Sequence, residues 1–299
     1  MAERISFHDQ IRANKLKSFF LIAVIFVFFI LLGWIIALAA PDFFFIIMII
    51  SIIFSLSYVL ISYYNSDKIA LASVKAKPAN KNMHAKFFHA AESMSLASGL
   101  PMPRLFVMHS EQINAFASGR NPENAVICAT DGCLEKLDKQ ELEGVIAHEM
   151  SHVANYDIRF MTLVAVAVGM VSILAELFLR SLWFSSSDKG RGKGGAILIV
   201  LGIVFAILAP LFAQLVSLAI SRKREFTADA TAVKFTRYPP GLAKALKKIK
   251  HEHVSEQDKH HYSKAVAPLF ISDPFKKKIQ NIFSTHPDVD LRIEKLERM

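Results

Sequence analysis

The chain has 299 residues, 53% of them hydrophobic, and a mean hydropathy of +0.35. Soluble domains are about 45–50% apolar, so this composition marks a membrane protein and excludes a disordered chain, a disulfide scaffold and a collagen-like repeat. The net charge of +9 is read as the basic flanks of membrane spans rather than as a nucleic-acid footprint, and no nucleic-acid-binding module is recognisable. Two cysteines, Cys128 and Cys133, are too few for a disulfide framework and fit buried thiols in a reducing compartment.

In chain order, residues 18–40 form an uncharged apolar run, Pro41 and Asp42 break it, and residues 43–64 form a second. Each is close to the roughly 20 residues that cross a bilayer, and the short break predicts a tight helical hairpin. Lysines and arginines flank it on both outer sides, with only Asp42 at its tip, which predicts that both outer flanks are cytosolic. Residues 160–179, interrupted by Glu176, and residues 196–220, with Pro210, form a third and a fourth run. Their connecting tip carries Lys189, Arg191 and Lys193, so charge alone does not send it outward.

Between the hairpins, residues 85–98 are predicted as a helix, and residues 104–109, 113–118 and 125–130 as short strands of a small sheet. Asp138 followed by Glu141 is a capping-box signature. It predicts a helix from Lys139 to about Asn155, with Leu142, Val145, Ile146, Met150 and Val153 as its apolar stripe. Further helices are expected over residues 241–251 and 288–298. The expected division is a membrane hairpin at 1–64, a soluble domain from 65–159 with 221–299, and a second membrane hairpin at 160–220.

The capped helix carries His148-Glu149-Met150-Ser151-His152, an H-E-x-x-H. Two histidines one helical turn apart face the same way and can share a zinc ion, with Glu149 beside them to take a proton from the attacking water. A catalytic zinc needs a third protein ligand. The metzincin extension is excluded, because Asn155 and Ile158 stand where it requires Gly and His. Glu225 is the best candidate, an ion pair with neighbouring arginines being its other use. Asp229, one turn on, is placed to receive the free N–H of a ligand histidine.

These residues, with the segment Asn114-Ala115-Phe116-Ala117-Ser118-Gly119 and the C-terminal Ser284-Thr285-His286-Pro287, match in order a known pattern. The chain resembles the HtpX family of bacterial membrane-bound zinc metalloproteases over essentially its whole length, and more distantly the CAAX prenyl proteases. The resemblance implies an α+β, mainly helical integral membrane protein with four transmembrane helices and a cytosolic gluzincin domain containing a small sheet. It implies one Zn2+ per chain and proteolysis of misfolded membrane proteins and unfolded polypeptides in quality control. It implies a bacterial inner-membrane location, and Asn114, Ala115, Phe116, Ala117 and Ser118 as an edge strand open to the substrate backbone. His286 matches the family's C-terminal histidine and could donate to the oxyanion, a helix-capping turn before Pro287 being the alternative. Arg292 could orient His286 or a carboxylate ligand.

Three other readings compete. A CAAX-type prenyl protease uses more membrane helices than four. A non-catalytic zinc scaffold would normally close its site with four protein ligands, whereas Glu149 beside the ligands favours catalysis. A basic nucleic-acid binder lacks any module for the task.

Overall fold

A computed structural model describes residues 7–185, 222–252, 269–271 and 288–299. The fold is mostly helical. Helix α1 (Phe7–Ala39) and helix α2 (Phe44–Tyr64) are long and apolar enough to cross a membrane, and a single 3-10 turn at Pro41–Phe43 folds them into a hairpin. Proline at the first position of that turn lacks the N–H that would continue α1, which is why the break falls where the sequence put it. Ser55 Oγ of α2 donates to the Phe26 carbonyl of α1 at 2.9 Å, pinning the two spans together. The fourth apolar run, its basic tip and His286 lie outside the described residues.

A short helix α3 (Ser66–Ser73) leads from the hairpin to strand β1 (Lys77–Pro78), helix α4 (Ala85–Ser98) and strand β2 (Arg104–Met108). Strands β3 (Ala115–Ser118) and β4 (Val126–Thr130) follow. The sheet runs in the order β1-β2-β4-β3, with β2 and β4 parallel and the other pairs antiparallel. Cys128 at the centre of β4 faces Phe106 on one side and Phe116 on the other. Both cysteines are free, fully buried thiols, and burial pushes both pKa values up.

Helix α5 (Asp131–Lys136) and helix α6 (Lys139–Ala154) come next. The capping box on α6 is complete, with Glu141 N–H to Asp138 Oδ1 at 2.9 Å and Asp138 N–H to Glu141 Oε2 at 2.8 Å. The stripe Leu142, Val145, Ile146, Met150 and Val153 is buried with Ile127 and Ala129 of the sheet and Phe87 of α4. The other sheet face, with Phe116, Val126 and Cys128, packs on Ala70 and Leu71 of α3 and Met161 and Ala165 of α7 (Asp157–Ser185). The sheet thus lies between the motif helix and the first turns of α7. Between α6 and α7 the chain turns by 87°, through Tyr156 in the left-handed region at φ 58°.

Helix α8 (Arg222–Thr236), helix α9 (Pro239–His251) and helix α10 (Val289–Glu297) complete the described structure. Gly144 of α6 and Gly241 of α9 let these two helices meet backbone to backbone: a Cβ on Gly144 would lie 2.6 Å from the Leu242 nitrogen, and one on Gly241 2.6 Å from the Gln140 carbonyl oxygen. That contact sets α6 rigidly in the core.

Candidate metal centre

His148 and His152 sit one turn apart in the second half of α6 and are almost fully buried, at 0% and 5% exposure. Helix α8 brings Glu225 across to them. The His148 and His152 Nε2 atoms are 3.3 Å apart; Glu225 Oε2 lies 3.5 Å from the first and Oε1 3.8 Å from the second. Three ligands about 2.0–2.1 Å from a tetrahedral zinc stand roughly 3.4 Å from one another. The donor set and its spacing therefore fit a zinc ion. Among the described residues this is the group of His, Cys, Asp and Glu that could hold a metal.

The outer ring nitrogens are held from behind. His148 Nδ1 lies 3.0 Å from Asp229 Oδ1, the partnership expected from the Glu225-to-Asp229 spacing. Arg292 of α10 grips the same carboxylate with two bonds, Nη2 to Oδ1 at 2.7 Å and Nε to Oδ2 at 2.9 Å, and its Nη1 lies 3.5 Å from Glu225 Oε2. Burial and the Arg292 charge oppose a protonated His148, but the hydrogen bonds to Asp229 and Glu225 outweigh them and lift it to about 9. Burial likewise works to raise Asp229, yet Arg292 and His148 hold its carboxyl below the usual range.

His152 has a partner that sequence reasoning missed. Its Nδ1 lies 3.0 Å from Asp157 Oδ2, the first residue of α7. Asp157 Oδ1 in turn accepts from Arg224 Nε at 2.9 Å and from Asn14 Nδ2, on α1, at 2.7 Å. Asn14 also donates to the Asn155 carbonyl at 3.0 Å. Asp157 lies five residues past His152 beyond a sharp corner, and Asn14 is 143 residues away in sequence, so no helical spacing predicts either. The available signal was an acid placed directly ahead of an apolar run.

Glu149 is 1% exposed, and its Oε1 has no hydrogen-bond partner among the described residues. Burial pushes its carboxyl above the ordinary range, while His148, His152 and a hydrogen bond from the Ala117 backbone N–H pull the other way. A buried carboxylate oxygen left without a donor beside three convergent ligand atoms suits a base awaiting a water.

Strand β3 is the edge of the sheet, but it is not open along its length. Asn114 and Ala115 to Ser118 are all buried. Asn114 turns its carbonyl toward β4, where it accepts from Thr130 N–H at 3.0 Å, and alternation then points Ala115 and Ala117 outward. The outward Ala115 carbonyl accepts from Ile271 N–H at 3.0 Å, and Phe116 and Phe270 form an antiparallel bridge with their rings 5.3 Å apart. Residues 269–271 thus lie along Ala115–Ala117 of the edge, and the N–H of Ala117 is turned to Glu149. The open edge expected from sequence is shortened because hydrophobic Leu269, Phe270 and Ile271 gain burial by pairing there.

Known proteins resemble this chain closely. The model of Peptidase family M48 matches residues 79–299. A protease HtpX homolog of Thermoanaerobacter pseudethanolicus is 42% identical over 83% of each chain. One of Dictyoglomus thermophilum is 39% identical over 98% of this chain and 95% of its own. One of Streptococcus gordonii is 36% identical over 97% and 99%. Among solved structures, S. mikatae Ste24p aligns at 20% identity and a TM-score of 0.47, over 95% of this chain and 65% of that one.

Proposed function

The chain belongs to peptidase family M48, as a membrane-associated metalloprotease of the HtpX kind, and from that premise we propose a zinc-dependent endopeptidase of the H-E-x-x-H, gluzincin type. The observation that carries this reading is the convergence of two Nε2 atoms 3.3 Å apart with a Glu225 carboxylate whose oxygens lie 3.5 and 3.8 Å from them, beside a Glu149 oxygen without a partner among the described residues. His148, His152 and Glu225 would hold one zinc per chain. Bound there, zinc would supply the Lewis acidity that makes water a nucleophile at neutral pH.

The protein's own groups do the rest. Asp229 and Asp157 accept the Nδ1–H of the two imidazoles, which fixes the tautomer that leaves each Nε2 lone pair free for the metal. Glu149 takes the proton of the attacking water and returns it to the leaving amine. Arg292 offsets the negative charge of Asp229 and Glu225. The outward Ala117 carbonyl of β3 would accept from an extended substrate, and main-chain pairing demands little of the substrate sequence. That suits misfolded membrane proteins and unfolded polypeptides as substrates, and His286 as a donor to the oxyanion completes the set.

The proposed topology has four spans in a bacterial inner membrane, with the termini and the site cytosolic. His148 and His152 precede the third apolar run and Glu225 follows the fourth, so a shared metal requires an even number of crossings between them. Cysteines placed singly at Ser186 and Ser255, in a background lacking Cys128 and Cys133, test it. An impermeant thiol reagent on intact cells should label 186 and spare 255; labelling at 255 would place the site on the other side. The activity is tested with purified protein in detergent on an unfolded membrane protein. Cleavage should stop with chelator and return with added zinc. Cleavage that persists in chelator at full metal depletion would exclude the reading.

A further inference from the structure

At the foot of the membrane hairpin, α1 and α2 part to leave a cleft of about 340 Å³, which Arg159 of α7 also lines. Its inner wall is apolar, formed by Ile22 of α1 and Val59 and Leu60 of α2. Its mouth carries Lys15, Tyr63 and Arg159. From Lys15 to Ile22 is seven residues, so the cleft runs about 10 Å along the helix axis from a charged rim to a greasy floor.

The rim sits at a definite depth. The uncharged run of α1 begins at Ser18, just beyond Lys15, and the second candidate span ends at Tyr64. Tyrosine and lysine in this position mark the boundary between hydrocarbon and water, where lipid phosphates lie. Among the described residues no carboxylate compensates the cations there. Lys15 Nζ stands 4.3 Å over the Tyr156 ring, the Arg159 guanidinium stands 5.2 Å from the same ring, and Arg120 stands 5.1 Å from the Tyr64 ring. None of the three forms an ion pair with a described carboxylate. Arg159 is also fixed in place, its Nε donating to the Arg120 carbonyl at 2.6 Å. A cation held by rings and a carbonyl keeps its remaining donors for an anion.

We propose that this cleft binds one anionic glycerophospholipid, its phosphate at Lys15 and Arg159 and an acyl chain along Ile22, Val59 and Leu60. The apolar wall argues for a lipid over free phosphate, and the unpaired cations argue for an anionic headgroup over a zwitterionic one. Because Arg159 follows Asp157 by two residues at the start of α7, the bound lipid would brace the corner that carries the His152 partner. The binding itself does not depend on the proposed chemistry.

The test uses delipidated full-length protein in detergent, titrated with dioctanoyl phosphatidylglycerol, dioctanoyl phosphatidylcholine or inorganic phosphate while the thermal unfolding midpoint is followed. Phosphatidylglycerol should raise the midpoint and bind more tightly than phosphatidylcholine, by about five-fold for each cation engaged. Lys15→Gln should weaken phosphatidylglycerol about five-fold and phosphatidylcholine less, and Lys15→Arg should restore both. Lys15 is exposed, so its loss does not unpack the core. Leu60→Trp, which fills the groove, should weaken both lipids. Equal affinity for the two lipids, full phosphatidylglycerol binding in Lys15→Gln, or an equal shift from inorganic phosphate alone would overturn the proposal.

Discussion

Asn14, on the first membrane helix, donates through Nδ2 to Asp157 Oδ1 at 2.7 Å, and the other oxygen of that carboxylate lies 3.0 Å from the ring of His152. A residue of the hairpin is thus two hydrogen bonds from a proposed metal ligand. The hairpin does more than tether the enzyme, because it supplies part of the shell that orients His152.

This relationship predicts a graded series. Asp157→Ala should lower zinc affinity, read by competition with a chromophoric chelator, by about 10–100-fold, the usual cost of losing a ligand's outer partner. Asp157→Asn keeps an acceptor for the Nδ1–H and should lose less. Asn14→Ala should lose least, since Arg224 still holds Asp157. Equal zinc affinity across the series would separate Asp157 from the metal.

Arg292 is 1% exposed and makes a two-bond pair with Asp229. Removing one partner of a buried ion pair costs about 3–5 kcal/mol, because the other charge is left without compensation. Arg292→Met should therefore lower the thermal midpoint in detergent sharply. Arg292→Lys should recover only part of the loss, since an ammonium cannot reproduce the planar fork. An unchanged midpoint in Arg292→Met would show that Asp229 finds its compensation elsewhere.

The register of β3 separates two substitutions that look alike in sequence. Phe116 turns its N–H toward β4, so Phe116→Pro should damage the sheet and lower stability. Ala117 turns its N–H outward, so Ala117→Pro should leave the fold closer to intact and reduce kcat/KM for long unfolded substrates by at least about ten-fold, through loss of the donor beside Glu149 and displacement of the carbonyl that receives the substrate. Full activity of Ala117→Pro on such substrates would count against strand addition at this edge.

Legibility in the sequence followed the range of each interaction. The hairpin, the helix over 85–98, the three strands and the capped motif helix are local consequences of apolar period, turn chemistry and capping, and the structure places them within one or two residues of expectation, except that α1 begins at Phe7, eleven residues ahead of its uncharged run. His148, His152 and Glu225 were legible because their chemistry is written in short spacings, and the structure brings all three together. Asp157 and Asn14 were not, because their meeting depends on an 87° corner at Tyr156 and on the docking of α1. The cover over β3 was hidden for the same reason: nothing local to Leu269, Phe270 and Ile271 names Ala115 as their partner.

The central claim is that one buried cluster holds zinc while Glu149 moves the proton. The most direct measurement is metal content and proteolysis on the same preparations of Glu149→Gln and Glu225→Ala. Glu149→Gln should retain one zinc per chain and lose cleavage, because an amide cannot take the proton, whereas Glu225→Ala should lose both together. Cleavage by zinc-loaded Glu149→Gln within a factor of about ten of the unmodified protein, or full zinc in Glu225→Ala, would contradict the account.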